Sequence, residues 1–164
     1  MTNKRLKELT ELIIEWGNDK GIPQKSTYKH QLNKTLEEIT ELDKAILDNN
    51  AVEIKDAIGD IYVTLVMAGE FDEAVKYCIT RHYEKISLLR TASQEPSKTL
   101  IALFAEYNLF RFNHETDKLF LILNHLENLS MAHRFFLENA VESAYNVINK
   151  RKGKMINGQF VKDE

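Results

Sequence analysis

Apolar residues recur at intervals of three and four along nearly the whole of this 164-residue chain, and only six glycines and two prolines interrupt them. That period belongs to the α-helix. Strands would need alternation, and the turns between them Gly, Pro, Asn or Asp at short intervals. The expected fold class is all-α, an antiparallel helical bundle forming a single domain over residues 1–164. With 43% apolar residues there is material for a packed core, and a collagen, a linker or a disordered acidic tail is excluded.

Leu6, Leu9, Leu12, Ile13 and Trp16 share one helical face, and the helix they predict stops at Gly17. The following DKGIPQKS reads as a loop, with Ser26 placed to cap what comes next. A second helix is expected from about Thr27 to Asp48, with Leu32, Leu36, Ile39, Leu42 and Ile46 inward. Asn50 followed by Glu53 resembles a capping box, which starts a third helix at Ala51 and carries it through Met67. So short a connection makes the second and third helices antiparallel neighbours. Phe71 to Thr91 is amphipathic through Phe71, Val75, Cys78, Ile79, Ile86 and Leu89, either as a new helix after a break at Gly69 or as a continuation. Pro96, within Ser93 to Ser97, marks a boundary before helices over about Lys98–Phe110 and Glu115–Asn128, and a last helix runs from about Met131 to Lys150. The apolar stripe across Leu100, Leu103, Phe104, Tyr107, Leu119, Leu123 and Leu126 has two uses, sealing the bundle or meeting a second subunit. The tail RKGKMINGQFVKDE, with two glycines and no helical period, is expected to leave the bundle.

Twenty-two Lys and Arg against 25 Asp and Glu leave a net charge of −3, so no basic field draws the chain to nucleic acid, which is not an expected partner. Cys78 is the lone cysteine and MTNKRLKEL is too charged for a signal peptide, so a reducing, cytoplasmic location is expected. No apolar run approaches the roughly 20 residues that cross a bilayer, so no membrane is expected either. There is no P-loop, GxGxxG, GxSxG or HExxH, and His30, His82, His114, His125 and His133 show no paired metal spacing. Cys78, on an apolar helical face, reads as core rather than nucleophile.

The second helix carries Glu37, Glu38 and Glu41, and the third Asp56 and Asp60. At about 100° per residue, Glu38 and Glu41 diverge by about 60° and Asp56 and Asp60 by about 40°, so each set lies largely on one side of its helix. If packing turns those sides together, the carboxylates repel by about 4 kcal/mol per pair at about 4 Å and an effective dielectric near 20, unless protons or a cation intervene. Hard oxygen donors without cysteine or Glu-x-x-His spacing select magnesium or manganese. The competing reading is an ordinary solvated face, with Glu53 accounted for by the cap and Glu37 by water. Gly59, directly before Asp60, costs a helix interior about 1 kcal/mol relative to Ala and needs a reason such as a close helix approach.

In three places these residues resemble the MazG-like all-α nucleoside triphosphate pyrophosphohydrolases, a family related to dimeric dUTPases and phosphoribosyl-ATP pyrophosphohydrolase. KTLEEITEL, residues 34–42, looks like the family's Glu-x-x-Glu helix, and KDAIGDIYVTLV, residues 55–66, resembles its second acidic helix with a Gly-Asp pair. AYNVINKRKGKMINGQFVK, residues 144–162, resembles the C-terminus of small MazG-like proteins common in phages and prophages. The resemblance covers about residues 5–69 and 134–162 and leaves about 70–132 as an extra helical segment in the middle of that type of bundle.

What the resemblance implies is cleavage between the α and β phosphates of a nucleoside triphosphate, giving the monophosphate and pyrophosphate, with magnesium held by Glu38, Glu41 and Asp60. The family pattern has Glu three residues before Asp60, where this chain has Ala57; Asp56, one turn from Asp60, is the expected substitute. Glu38 or Glu41 is expected to take the proton of the attacking water. Asn146 and Arg151 match the family ending and, with Lys34, are expected to meet the substrate phosphates. Lys150, Lys152 and Lys154 equally suit the dipole of the preceding helix, and Lys34 equally pairs with the acids. Trp16 and Tyr28 are candidates for stacking on a base, with packing the commoner use of such side chains. A homodimer or homotetramer is implied as well. Two rivals stand beside this reading. One is a degenerate relative that binds a nucleotide or protein partner without turnover, motivated by Ala57 and the unmatched segment; the other is a helical interaction protein whose acids are solvated.

Overall fold

A computed structural model describes residues 2–85 and 95–163, which form eight helices and one hairpin. Helix α1 (Lys4–Asp19) starts where the Asn3 side chain accepts the Leu6 N–H, and it buries Leu6, Leu9, Ile13 and Trp16. It runs through Gly17 rather than stopping there. Gly17 is a packing position: a Cβ on it would lie 2.3 Å from Met67 Sδ. The chain turns later, at Gly21 with φ 75°, and the segment read as a loop contains the single-turn helix α2 (Ile22–Lys25).

Helix α3 (Tyr28–Leu47) is capped by Thr27, which accepts the His30 N–H, while Ser26, the expected cap, accepts instead from Gln31 Nε2 at 2.9 Å. Helix α4 (Ala51–Gly69) begins at Asn50, whose side chain accepts from the N–H groups of Val52 and Glu53, as the capping pattern requires. It is the central helix, buried along most of its length and packed against α1 and α3. The chain breaks after Gly69, so the next amphipathic stretch is a new helix, α5 (Glu73–Lys85), started by Asp72 accepting the Ala74 and Val75 N–H groups. Ile86 and Leu89 of the expected amphipathic stretch, and the start of the Ser93–Ser97 boundary, lie outside the described residues.

Helices α6 (Pro96–Asn113) and α7 (Asp117–Ala132) pack on each other across a turn at His114, φ 56°. Leu100, Leu103, Tyr107, Leu119, Leu123 and Leu126 are buried and Phe104 partly so, which means the stripe seals the bundle. Tyr107 Oη donates to the Leu32 carbonyl and Arg111 to Asn33 Oδ1, tying α6 to α3. Cys78 Sγ lies 3.4 Å from the Thr116 carbonyl, and burial pushes its thiol pKa up, in keeping with a packing role.

The last helix, α8 (Leu137–Ile148), is shorter than expected. Met131 and Ala132 close α7, and the chain reverses around Arg134 at φ 68° before Phe136 donates its N–H to Asn139 Oδ1. The tail departs from the all-α expectation. Strands β1 (Gly153–Ile156) and β2 (Gln159–Lys162) pair antiparallel, with Ile156 opposite Gln159 and Asn157–Gly158 as a two-residue turn of positive φ. Nor does the tail leave the bundle: Phe160 meets Trp16 edge-on, with ring centroids 5.9 Å apart. Among the described residues no helix is long and apolar enough to cross a membrane.

Candidate functional site

One hydrogen bond marks the register of the central pair. Thr35 Oγ1 on α3 donates to Thr64 Oγ1 on α4 at 2.9 Å, and Thr64 passes its own hydrogen to the Ile61 carbonyl. Counting in opposite directions from that bond brings Glu38 alongside Asp60. On the other side of α4, Gly59 admits α8, since a Cβ at 59 would sit 2.4 Å from the Ala140 carbonyl oxygen. The close helix approach that Gly59 called for is therefore present, and the chain leaving α8 brings Arg151 to the same place. The result is a cleft of about 390 Å³ lined by Glu38, Asp60, Lys34 and Arg151 together with Trp16, Gln31, Met67 and residues of β2. That volume lies within the roughly 300–1,000 Å³ of small-molecule sites.

The electrostatics of the cleft are unfavourable to two charges. Burial pushes the Glu38 carboxyl up to about 7, with the Asp60 and Glu41 charges adding to it and Lys34 opposing. Burial likewise pushes Asp60 up to about 6, helped by Asp56 and Glu41 and held back chiefly by Arg151. Desolvation leads in both cases, so the charged forms lack water and are only partly compensated by the two bases. Lys34 also pairs with the exposed Glu37.

The other expected site residues fall differently. Glu41 is exposed and borders a neighbouring depression with Lys44, Asp48 and Glu53, although its charge reaches both Glu38 and Asp60. Asp56 is half-buried one turn from Asp60, whereas Ala57 is buried at 4% exposure and presents no ligand. Asn146 is exposed on α8 and does not line the cleft. Of the basic cluster only Arg151 lines it, Lys150, Lys152 and Lys154 being exposed. Tyr28 packs against the core, where burial pushes its hydroxyl up to about 12, while Trp16 is in the cleft wall. Among the described residues no three carboxylate, imidazole or thiol groups stand close enough together to hold a metal ion as placed.

Gln31 and Met67 are cleft positions to which the sequence assigned no role, and the tail, quoted only for its resemblance, supplies hairpin residues to the same cleft. For the hairpin a signal existed: Asn-Gly, here Asn157-Gly158, is a strong short-range indication of a two-residue turn. Gln31 and Met67 carried none, because nothing in a lone Gln or Met marks which helix face will line a cleft.

No protein-family profile matches the chain, and no solved structure matches it. It is similar to an uncharacterized 18.2 kDa protein from the rep-hol intergenic region of Haemophilus phage HP1 (strain HP1c1), with 36% identity over 62 residues. The match spans 38% of this chain and 38% of the length of that relative.

Proposed function

We propose that this protein is a magnesium-dependent nucleoside triphosphate pyrophosphohydrolase of the MazG-like type, cleaving between the α and β phosphates and assembling as a homodimer or homotetramer in the cytoplasm. One observation carries the reading: Glu38 and Asp60 share a cleft with Lys34 and Arg151 whose other walls are mainly apolar. Acids for a cation, bases for phosphates and an apolar wall for a base correspond to the parts of a nucleoside triphosphate. The likeness to a phage protein agrees with a phage or prophage setting.

The donor chemistry fits magnesium. Two carboxyls of hard oxygen, raised in pKa by burial and by neighbouring acids, are relieved by a divalent cation. Glu38 and Asp60 would hold it, supplemented by Asp56 and Glu41. Bound there, it offsets triphosphate charge and makes a water more acidic. A carboxylate left over from coordination, Glu38 or Glu41, would take the proton of the attacking water. Arg151 offers paired donors to a phosphate and Lys34 a mobile charge.

Binding without turnover is the second reading, favoured by the buried Ala57 and by the lack, among the described residues, of a ready three-ligand cluster. Pyrophosphate release from a panel of ribo- and deoxyribonucleoside triphosphates, with and without magnesium, separates the two. The hydrolase reading expects magnesium-dependent release that Glu38→Gln abolishes; no release from any triphosphate leaves binding alone. Light scattering on the same sample measures the assembly.

A further inference from the structure

We propose that the C-terminal hairpin completes a nucleobase seat in which Trp16 and Phe160 form the aromatic wall and Gln31 supplies the polar contact. The assignment of the remaining ligand as a triphosphate rests on the hydrolase reading above. Seven residues separate Gln31 from Glu38 on α3, and seven separate Asp60 from Met67 on α4, about 10 Å along each helix. Because the helices are antiparallel, both displacements run the same way, so the cleft has an acidic end and an end beside Trp16. That distance suits a nucleotide lying with its phosphates at the acids and its base at the aromatic end.

Three observations define the far end. Phe160 on β2 meets Trp16 at 5.9 Å and 70°, with Lys20 Nζ 5.8 Å from the Phe160 ring centroid. Gly158, at φ 80°, allows the turn to lie on His30, where a Cβ would come within 2.2 Å of Nδ1, so the hairpin is seated on α3. Gln31 is only 7% exposed, its Nε2 donates to Ser26 Oγ at 2.9 Å, and it lines the cleft. A buried, oriented amide beside an aromatic wall suits a base edge, since every base has a π-face and hydrogen-bonding groups in its plane.

Trp16 is the lone tryptophan, so its emission reports on this seat alone. Nucleosides and nucleoside monophosphates, titrated without magnesium, are expected to change that emission saturably, and inorganic pyrophosphate is not. Phe160→Ala should weaken the response about tenfold, with Phe160→Tyr restoring it. Gln31→Met, which leaves the hairpin untouched, should also weaken it, and both losses should raise KM for a hydrolysed triphosphate more than they lower kcat. A protein that releases pyrophosphate yet shows no nucleoside response, or no change in KM in either variant, overturns the seat and leaves the hydrolase reading standing. A saturable nucleoside response without turnover of any triphosphate upholds the seat and removes the hydrolase reading.

Discussion

Gly59 on α4 lies directly against Ala140 on α8: a Cβ at residue 59 would stand 2.4 Å from the Ala140 carbonyl oxygen and 2.8 Å from Ala144 Cβ. The contact is backbone to backbone, so it cannot be relieved by turning a side chain. It holds α8 against the helix that carries Asp60, and through the chain that follows it positions Arg151.

Gly59→Ala is therefore expected to destabilise the protein. Overpacking costs about 1–3 kcal/mol, against about 1 kcal/mol regained in helix propensity. Urea denaturation should show a loss of up to about 2 kcal/mol, and Ala144→Gly should not restore it, because the carbonyl contact remains. Full rescue by that second change would mean the side chain, not the backbone, limits the approach.

The cleft carboxyls give stability a definite pH dependence. Glu38 and Asp60 have folded-state pKa values pushed up to about 7 and about 6, above their unfolded values. Their contribution is full below the unfolded carboxylate range and is lost progressively from there as pH rises to the folded values of about 6 and about 7. Without divalent cations the melting temperature should fall between about pH 4 and 7 from this source, and the fall should be shallower in Glu38→Gln. Magnesium should raise it more at the upper end than at the lower. A Glu38→Gln profile parallel to the wild type would refute the account.

Gly158→Ala tests how the hairpin is held. Alanine at φ 80° costs about 1–2 kcal/mol, and its Cβ would meet the His30 ring. Amide hydrogen exchange across residues 153–162 should quicken about tenfold, while protection in α3 and α4 stays as it was. Equal loosening of the helices would show that the hairpin is part of the bundle's cooperative unit.

Arg151 and Asn146 should behave differently in the hydrolysis assay. Arg151→Ala removes charge-assisted bonds worth about 1.5–3 kcal/mol and should raise KM about tenfold or more. Asn146 is exposed and outside the cleft lining, so Asn146→Ala should change KM less than about twofold. An equal effect would mean that a second subunit brings Asn146 to the substrate.

Helices were legible because apolar spacing is a local property; their ends were less so. Gly17 and Gly21 look alike in the chain, yet one is a contact inside α1 and the other a left-handed turn. From Met131 to Ile148 apolar residues continue through Phe135 and Phe136, and the spacing did not reveal the reversal at Arg134. The hairpin could have been found from Asn157-Gly158, but its two paired strands are four residues each, too short for alternation to register.

That Glu38 lies largely on one side of its helix with Glu41, and Asp60 with Asp56, was recognisable from spacing, because the helical period is intrinsic to each backbone. That Glu38 and Asp60 would stand together, with Arg151 beside them and Glu41 and Asn146 outside, could not be read the same way. Those relations depend on the Thr35–Thr64 register, on the Gly59–Ala140 approach and on a hairpin folded back over α1 and α3. Each joins residues far apart in the chain, and such contacts take a definite geometry only when the whole core packs at once.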